Sequence, residues 1–153
     1  MGQLWTDEYK FKTWLQVEIA VCEAQAKLGK IPKEAVETIK EKANFDVDRI
    51  LEIEKEVKHD VIAFLTNVNE YVGDAGRFIH LGMTSSDVLD TALSLQIVES
   101  HKLILTHVEN LIQAIRFKAQ EHRDTVMIGR SHGIHAEPMT FGFKLAGWLA
   151  EMQ

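Results

Sequence analysis

The chain has 153 residues, 46% of them hydrophobic and 26% charged, which is the balance of an ordinary globular protein with a real core. Its formal net charge of −6 argues against general binding to nucleic acid or anionic membranes, which favours basic surfaces. The single cysteine excludes an intrachain disulfide, and we find neither a secretory signal pattern nor an apolar run of membrane-spanning length. We therefore expect a cytoplasmic protein without a membrane or nucleic-acid partner.

The first half of the chain is predicted to form four helices. They cover about residues 6–28, a short stretch opened by Pro32, residues 46–56 and residues 60–72. Gly29 and Gly73 stand where C-terminal glycines belong. Apolar side chains at three- and four-residue spacing predict one buried stripe on the first helix, made of Trp14, Val17, Val21, Ala24 and Leu28.

The second half is predicted to hold the longest helix of the chain, from Ser86 to about His122. Thr84 and Asp87 resemble a capping box at its start, and such a helix is ~55 Å long at 1.5 Å per residue. Its apolar stripe is predicted to be Leu89, Leu93, Ile97, Ile104, Val108, Leu111 and Ile115. A helix of this length needs partner helices, from this chain or from other subunits. We predict a loop over 129–137 and a last helix opened by Pro138, so the fold class is all-α, without strands.

The first polar cluster is Lys58-His59-Asp60, at the start of a predicted helix. A helix N-terminus beside cationic side chains is a natural site for an anion. The alternative is a solvated helix end, with Asp60 as the cap and Lys58 free in water. The residues alone leave both interpretations open.

The second cluster runs from His80 to Asp87, at the start of the long helix. The hydroxyl groups of Thr84, Ser85 and Ser86, together with backbone N–H groups, are suited to hold a carboxylate or a phosphate. Plain N-capping explains the same residues without a ligand. His80 alone is typical of a surface or packed histidine.

The third cluster, from Gly129 to Pro138, places His132 and His135 three residues apart. A metal site would need further ligands, and no cysteine lies nearby, so we expect no metal here. An imidazole that titrates near neutral pH suits a general acid or base, and His132, preceded by Arg130, is our candidate. A loop histidine whose nitrogens bond to backbone is the alternative.

Taken in order, the three clusters resemble the adenylosuccinate lyase family, in its bacterial and archaeal-type branch within the fumarase/aspartase superfamily. The continuation His-Gly-Ile-His-Ala-Glu-Pro favours this family over the others of the superfamily. The segments that carry the resemblance are Lys58-His59-Asp60-Val61, Leu81-Gly82-Met83-Thr84-Ser85-Ser86-Asp87-Val88 and Gly129-Arg130-Ser131-His132-Gly133-Ile134-His135-Ala136-Glu137-Pro138.

The resemblance implies an enzyme that eliminates fumarate from adenylosuccinate, leaving AMP, and from the ribotide SAICAR, leaving AICAR, in purine nucleotide biosynthesis. It implies no metal and no organic cofactor. By position, His132 matches the family's general acid, and His59 lies close to the substrate phosphate and the chemistry. The positions that match substrate-binding residues are Lys58, His59, Asp60, His80, Thr84, Ser85 and Thr140.

The resemblance also implies a fold, an N-terminal helical domain over 1–84 and the first helices of a long helical bundle over 85–153. The family builds each active site from three subunits of a homotetramer. Its mobile loop Ser-Ser-x-Met-Pro-x-Lys-x-Asn, which supplies the catalytic base, does not occur in this sequence. We therefore expect an N-terminal portion that is inactive alone and associates with copies of itself. The rival interpretations are another superfamily lyase, such as argininosuccinate lyase, and a non-catalytic helical interaction module.

Overall fold

The computed structural model describes all residues from Met1 to Gln153 and is mostly helical, with one small sheet. The helices are α1 (Asp7–Lys27), α2 (Lys33–Lys42), α3 (Val47–Val57), α4 (Asp60–Val72), α5 (Ser85–Glu121) and α6 (Phe141–Glu151). Two short 3₁₀ helices cover Gly2–Trp5 and Gly73–Phe78, and the strands β1 (Val126–Ser131) and β2 (Ile134–Thr140) lie between α5 and α6. None of the helices combines the length and apolar character needed to cross a membrane.

The residue contacts divide the chain into two compact units, Met1–Ser100 and His101–Gln153. The first unit contains α1 to α4 and the beginning of α5, and the second contains the rest of α5, the two strands and α6. The predicted division into domains after residue 84 stays a prediction.

The helix ends confirm the capping signals of the sequence. After α1, Gly29 has a φ of 70°, and the Gly29 and Lys30 N–H groups donate to the carbonyls of Ala26 and Gln25 at 3.1 and 2.9 Å. At the start of α5, the Thr84 N–H donates to Asp87 Oδ2 at 2.9 Å, which is one half of the predicted capping box. The helices α1, α3, α4 and α5 therefore begin and end within one or two residues of their predicted positions.

Three aromatic rings form the centre of the core in the first unit. Phe11 of α1 stacks on Phe64 of α4 with centroids 5.7 Å apart, and Trp14 meets both rings edge-on at 5.2 and 5.5 Å. Phe64 is completely buried. Aromatic pairs in these geometries stabilise beyond the area they bury, so this cluster fixes α1 against α4.

The predicted apolar stripe of α1 is wrong in part, and part of the predicted stripe of α5 is exposed in the single chain. Leu28 is 72% exposed, and Leu93 and Ile97 of α5 are about half exposed. The side chains of α5 that are buried belong to a neighbouring row, formed by Val88, Ala92, Gln96 and Ser100. Each helix has two adjacent rows with apolar side chains, and periodicity alone does not say which row meets the core.

The predicted loop over 129–137 is wrong, because β1 and β2 form an antiparallel hairpin there. Its turn is the dipeptide His132-Gly133, whose φ angles are 50° and 76°. Positive φ at both central residues is the geometry of a type I′ turn, which matches the twist of the two strands it joins. The third cluster is therefore the tip of a hairpin, held by backbone hydrogen bonds on both sides.

The hairpin also corrects the predicted start of the last helix. Pro138 pairs with Ile128 inside β2, and α6 begins three residues later at Phe141, after the N-cap Thr140. The register shifts between Ile128 and Arg130, where Gly129 of β1 faces two residues of β2, Ala136 and Glu137, which form a bulge. A Cβ at Gly129 would lie only 2.9 Å from the Glu137 carbonyl oxygen. A proline is tolerated next to such an irregularity, where the ladder is already interrupted.

We expect Gly142→Ala to destabilise the second unit by about 1–3 kcal/mol, because overpacking forces backbone to shift. A Cβ at Gly142 would lie 2.5 Å from the Ala119 carbonyl oxygen and 2.7 Å from the Arg123 Cα, which are atoms of the backbone. Gly147→Ala is the matched control on the same helix, since nothing lies within 4 Å of its added methyl group. The control should gain about 0.5–1 kcal/mol from better helix propensity. Urea unfolding measures both, and equal stability of the two variants would contradict the expectation.

Candidate functional site

Three of the predicted site residues have a strained backbone. Lys58, His80 and His132 have φ angles of 55°, 63° and 50°, and they are the only residues other than glycine with a positive φ. The left-handed region is uncommon for side chains of this size and persists only where the surrounding structure imposes it. Such residues concentrate at functional sites. One of them lies in each of the three polar clusters that the sequence singled out.

The first cluster lies where α3 ends and α4 begins. His59 is the N-cap of α4, and its Nδ1 accepts a hydrogen bond from the Ile62 N–H at 3.4 Å. Asp60, which we considered as the cap, is instead the first helical residue, and its Oδ1 accepts from the Val61 N–H at 2.7 Å. With Nδ1 as the acceptor, a neutral His59 carries its proton on Nε2. The side chains of His59 and Asp60 are 42% and 47% exposed, so both are accessible to a ligand.

The second cluster begins with a close contact between His80 and a buried carboxylate. Glu18 of α1 is 1% exposed, and its Oε2 accepts the His80 backbone N–H at 2.9 Å. Its Oε1 lies 2.6 Å from His80 Nδ1. Burial raises the pKa of the Glu18 carboxyl above its usual value, and the hydrogen bonds with His80 oppose that rise. One carboxylate thus fixes both the backbone and the ring of His80.

Two further side chains of α1 hold the same segment of chain. Cys22 Sγ lies 3.6 Å from the Phe78 carbonyl oxygen, and Gln25 Nε2 donates to the Leu81 carbonyl at 2.6 Å. Burial raises the pKa of the Cys22 thiol to about 11, so the thiol stays protonated and unreactive near neutral pH. Glu18, Cys22 and Gln25 lie one above the other on α1, and together they hold residues 78–81 just before α5 begins.

The start of α5 presents hydroxyl and backbone N–H groups beside this segment. Thr84 is exposed and immediately precedes α5, and Ser85 is half-buried and is the first of the 37 residues of that helix. A helix start carries a partial positive charge and N–H groups without an intrahelical partner. This arrangement is suited to a carboxylate or phosphate group.

The remaining predicted residues lie in the second unit. His132 is exposed at the tip of the hairpin, whereas Thr140 lies at its other end, about 20 Å away along β2 at ~3.3 Å per residue. The Thr140 hydroxyl oxygen accepts from the Phe143 N–H at 3.1 Å and so caps α6. Thr140 also lines a groove of about 550 Å³ together with Arg116 and Arg123 of α5.

Within each unit the predicted residues are only partly brought together. No hydrogen bond or ion pair links Lys58, His59 or Asp60 with His80 or Thr84. The helix between them, α4, is about 20 Å long at 1.5 Å per residue. No group of three or more His, Cys, Asp or Glu side chains is placed to hold a metal ion.

Glu18 makes the closest contact to any predicted site residue, and it was not predicted from the sequence as a site residue. A signal was present, because Phe11, Trp14 and Cys22 are buried and Glu18 falls on the same row of α1. A carboxylate in an otherwise apolar row needs a buried partner. His80 was not visible as that partner, since the two residues are 62 positions apart.

A family model described as lyase matches residues 1–153, the whole of the chain. The chain belongs to the lyase family. Among curated proteins, adenylosuccinate lyase of Synechocystis sp. is 76% identical over 152 residues, 99% of this chain and 35% of that protein. Adenylosuccinate lyase of Bacillus subtilis is 52% identical over 153 residues, 100% of this chain and 36% of that protein.

A solved structure agrees with this assignment to the lyase family. Fumarate lyase from Mesorhizobium sp. BNC1 superposes with a TM-score of 0.91 at 33% identity, over 98% of this chain and 36% of that one. The mostly helical fold and the family resemblance are therefore confirmed. The chain spans about a third of the length of the curated relatives it matches.

Proposed function

We propose that this lyase-family chain is part of an adenylosuccinate lyase, which eliminates fumarate from adenylosuccinate to leave AMP and from SAICAR to leave AICAR. Two relatives that match the whole chain carry that name. The observation that carries the proposal furthest is the left-handed backbone of Lys58, His80 and His132, one in each cluster that the family uses. Strain that coincides with all three clusters favours a catalytic chain over an interaction module.

The proposed reaction is a β-elimination in two proton transfers. A base removes the proton beside the substrate carboxylate, and the electron pair is held in an aci-carboxylate. That pair then forms the carbon–carbon double bond of fumarate while the carbon–nitrogen bond breaks, and His132 gives its proton to the leaving nitrogen. An imidazole exposed on a rigid turn suits this role, because its ordinary pKa lies near neutral pH. We also count His59 among the catalytic residues, because the family resemblance places it close to the chemistry. These steps need no cofactor.

The other residues are proposed to bind an anionic substrate. Lys58 and His59, at the start of α4, are suited to the phosphate, with Asp60 beside them. The hydroxyls at the start of α5 are suited to the succinyl carboxylate, where donors stabilise the charge of the aci-carboxylate as it develops. The full set of proposed substrate-binding residues is Lys58, His59, Asp60, His80, Thr84, Ser85 and Thr140.

We also propose that the complete site is shared between subunits of a cytoplasmic homotetramer. Lys58 to Asp60 and the start of α5 have no bonded link within the first unit, which fits a site assembled from several copies. The catalytic base is proposed to come from the two thirds of the relatives that these 153 residues do not match. The chain alone is therefore expected to release no fumarate.

A chimera tests the proposal, in which this chain replaces the matching 152 residues of the Synechocystis relative. Fumarate release from adenylosuccinate and from SAICAR, absent from the chain alone, is the expected result. Release from argininosuccinate instead would favour the rival superfamily lyase. A folded, tetrameric chimera without any lyase activity would overturn the proposal and favour a non-catalytic module.

A further inference from the structure

Glu18 is the only carboxylate in the chain that is almost fully buried, at 1% exposure. Burying a carboxylate is unfavourable unless it is paired and hydrogen-bonded. Both of its oxygens are committed to one residue, since Oε2 bonds the His80 N–H at 2.9 Å and Oε1 lies 2.6 Å from Nδ1 of the same residue. A residue that only filled the core would be apolar at this position.

The contact determines how the imidazole ring of His80 is used. An ionised carboxylate only accepts hydrogen bonds, so with Glu18 ionised the donor is Nδ1 of His80. That leaves Nε2 as the ring nitrogen that is available to a ligand. The His80 side chain is 20% exposed, in contrast to its partner, so the ring is not sealed in the core.

The surroundings of the pair support a fixed position for His80. The negative charge of Glu18 contributes to the raised pKa of the buried Cys22 thiol, which therefore stays neutral. Gln25 holds the Leu81 carbonyl at 2.6 Å, so the chain on the far side of His80 is also fastened to α1. His80 itself has a φ of 63°, a conformation that these bonds maintain.

We propose that Glu18 is a positioning residue, whose carboxylate holds the Nδ1–H of His80 and thereby presents Nε2 as a charged donor to an anionic oxygen of the substrate. This inference rests on the proposed function. It assigns to α1 a role in substrate binding that none of the predicted site residues includes. Glu18 acts through His80 and does not itself touch the substrate.

Glu18→Gln is the sharpest test, because glutamine has the same shape but one acceptor oxygen. If that oxygen keeps the backbone N–H, the amide NH₂ donates to Nδ1, and the ring proton moves to Nε2 of a neutral imidazole. A neutral donor binds an anion less tightly than a charged one, so KM of the chimera should rise about five- to tenfold. We expect kcat to stay within about twofold, since the acid His132 is untouched.

Glu23→Gln is the matched control on the same helix. Glu23 also has a cation at 2.7 Å, Lys40, but the pair is exposed and lies away from His80. Its removal should leave KM unchanged, because exposed ion pairs contribute little. If Glu18→Gln does not fold, Glu18→Asp replaces it, since the shorter side chain keeps the charge and lengthens the contact.

Nitrogen NMR of the His80 ring in the chain reports whether Nδ1 is protonated. A purely structural role of Glu18 in packing would not change this protonation. We expect a protonated Nδ1 in the parent chain and an unprotonated Nδ1 in Glu18→Gln. An active parent chimera whose KM is the same in Glu18→Gln overturns the inference and leaves the proposed function intact. An unprotonated Nδ1 in the parent chain also overturns it. A parent chimera without lyase activity would contradict both the inference and the proposed function.

Discussion

Replacing His132 by asparagine is expected to lower kcat of the active chimera about 10²–10⁴-fold, the usual contribution of a general acid. The substitution removes the imidazole ring and keeps the backbone turn, so it distinguishes the effect of the ring from that of the turn. Asparagine tolerates the left-handed backbone, and Asn-Gly is the preferred dipeptide of a type I′ turn, so the hairpin should keep its geometry around the φ of 50° found here. The loss is therefore attributable to the imidazole, and steady-state kinetics with adenylosuccinate measure it.

His135→Asn is the control for this experiment. His135 lies on the same hairpin, is exposed, and pairs with Arg130 across the strands. We expect it to retain nearly full kcat, since the family resemblance gives it no role. His132→Asn with more than about a tenth of the parent kcat, an effect smaller than general acids supply, would show that another group protonates the leaving nitrogen.

The largest effect on stability is expected for Phe64→Ala, at about 3–5 kcal/mol. Phe64 is completely buried and touches both Phe11 and Trp14, so its removal leaves a cavity that two rigid rings cannot fill. A domain is stable by only about 5–15 kcal/mol, and the variant should therefore lie close to its unfolding threshold at room temperature. Urea unfolding monitored by circular dichroism gives the difference.

Leu28→Ala provides the comparison for Phe64→Ala. Leu28 is 72% exposed although it belongs to the apolar stripe that the sequence predicted for α1. Surface substitutions away from special features change stability by about 0.5 kcal/mol or less. A loss at Leu28 comparable to that at Phe64 would mean that the predicted stripe, and not the row seen in the structure, faces the core.

The helices were predictable because their ends carry local signals. Gly29 and Gly73 adopt the positive φ angles that their positions implied, and the range Asp60–Val72 of α4 was predicted to the residue. The face that each helix buries was harder to predict. On α5 the choice between Leu93 and Ala92 as the core residue depends on the shape of the neighbouring helices, which is not encoded locally.

The hairpin escaped prediction for a different reason. Its turn, His132-Gly133, is not one of the common turn dipeptides, and Pro138 within β2 is a residue that normally argues against a strand. The bulge of β2 opposite Gly129 also breaks the alternation of apolar and polar residues by which strands are found. The turn, the proline and the bulge are each explained by the pairing of the two strands, which the sequence alone does not show.

The candidate site was located by motif and family resemblance, while its geometry was not predictable. The residues of the three clusters were named from the sequence, and the structure places each at the end of a helix or at a turn. The link from Glu18 to His80 joins positions 62 residues apart. Such a contact depends on the packing of α1, so no local sequence pattern near His80 predicts it.

The left-handed backbone of Lys58, His80 and His132 has a consequence for how these positions tolerate change. Glycine and asparagine relieve the backbone strain, so a library selected only for folding should accumulate them there. Selection for turnover on the same library should remove them, because the proposed reaction uses these side chains. We therefore expect folding and activity to impose opposing amino-acid preferences at these positions, with the observed sequence favouring activity.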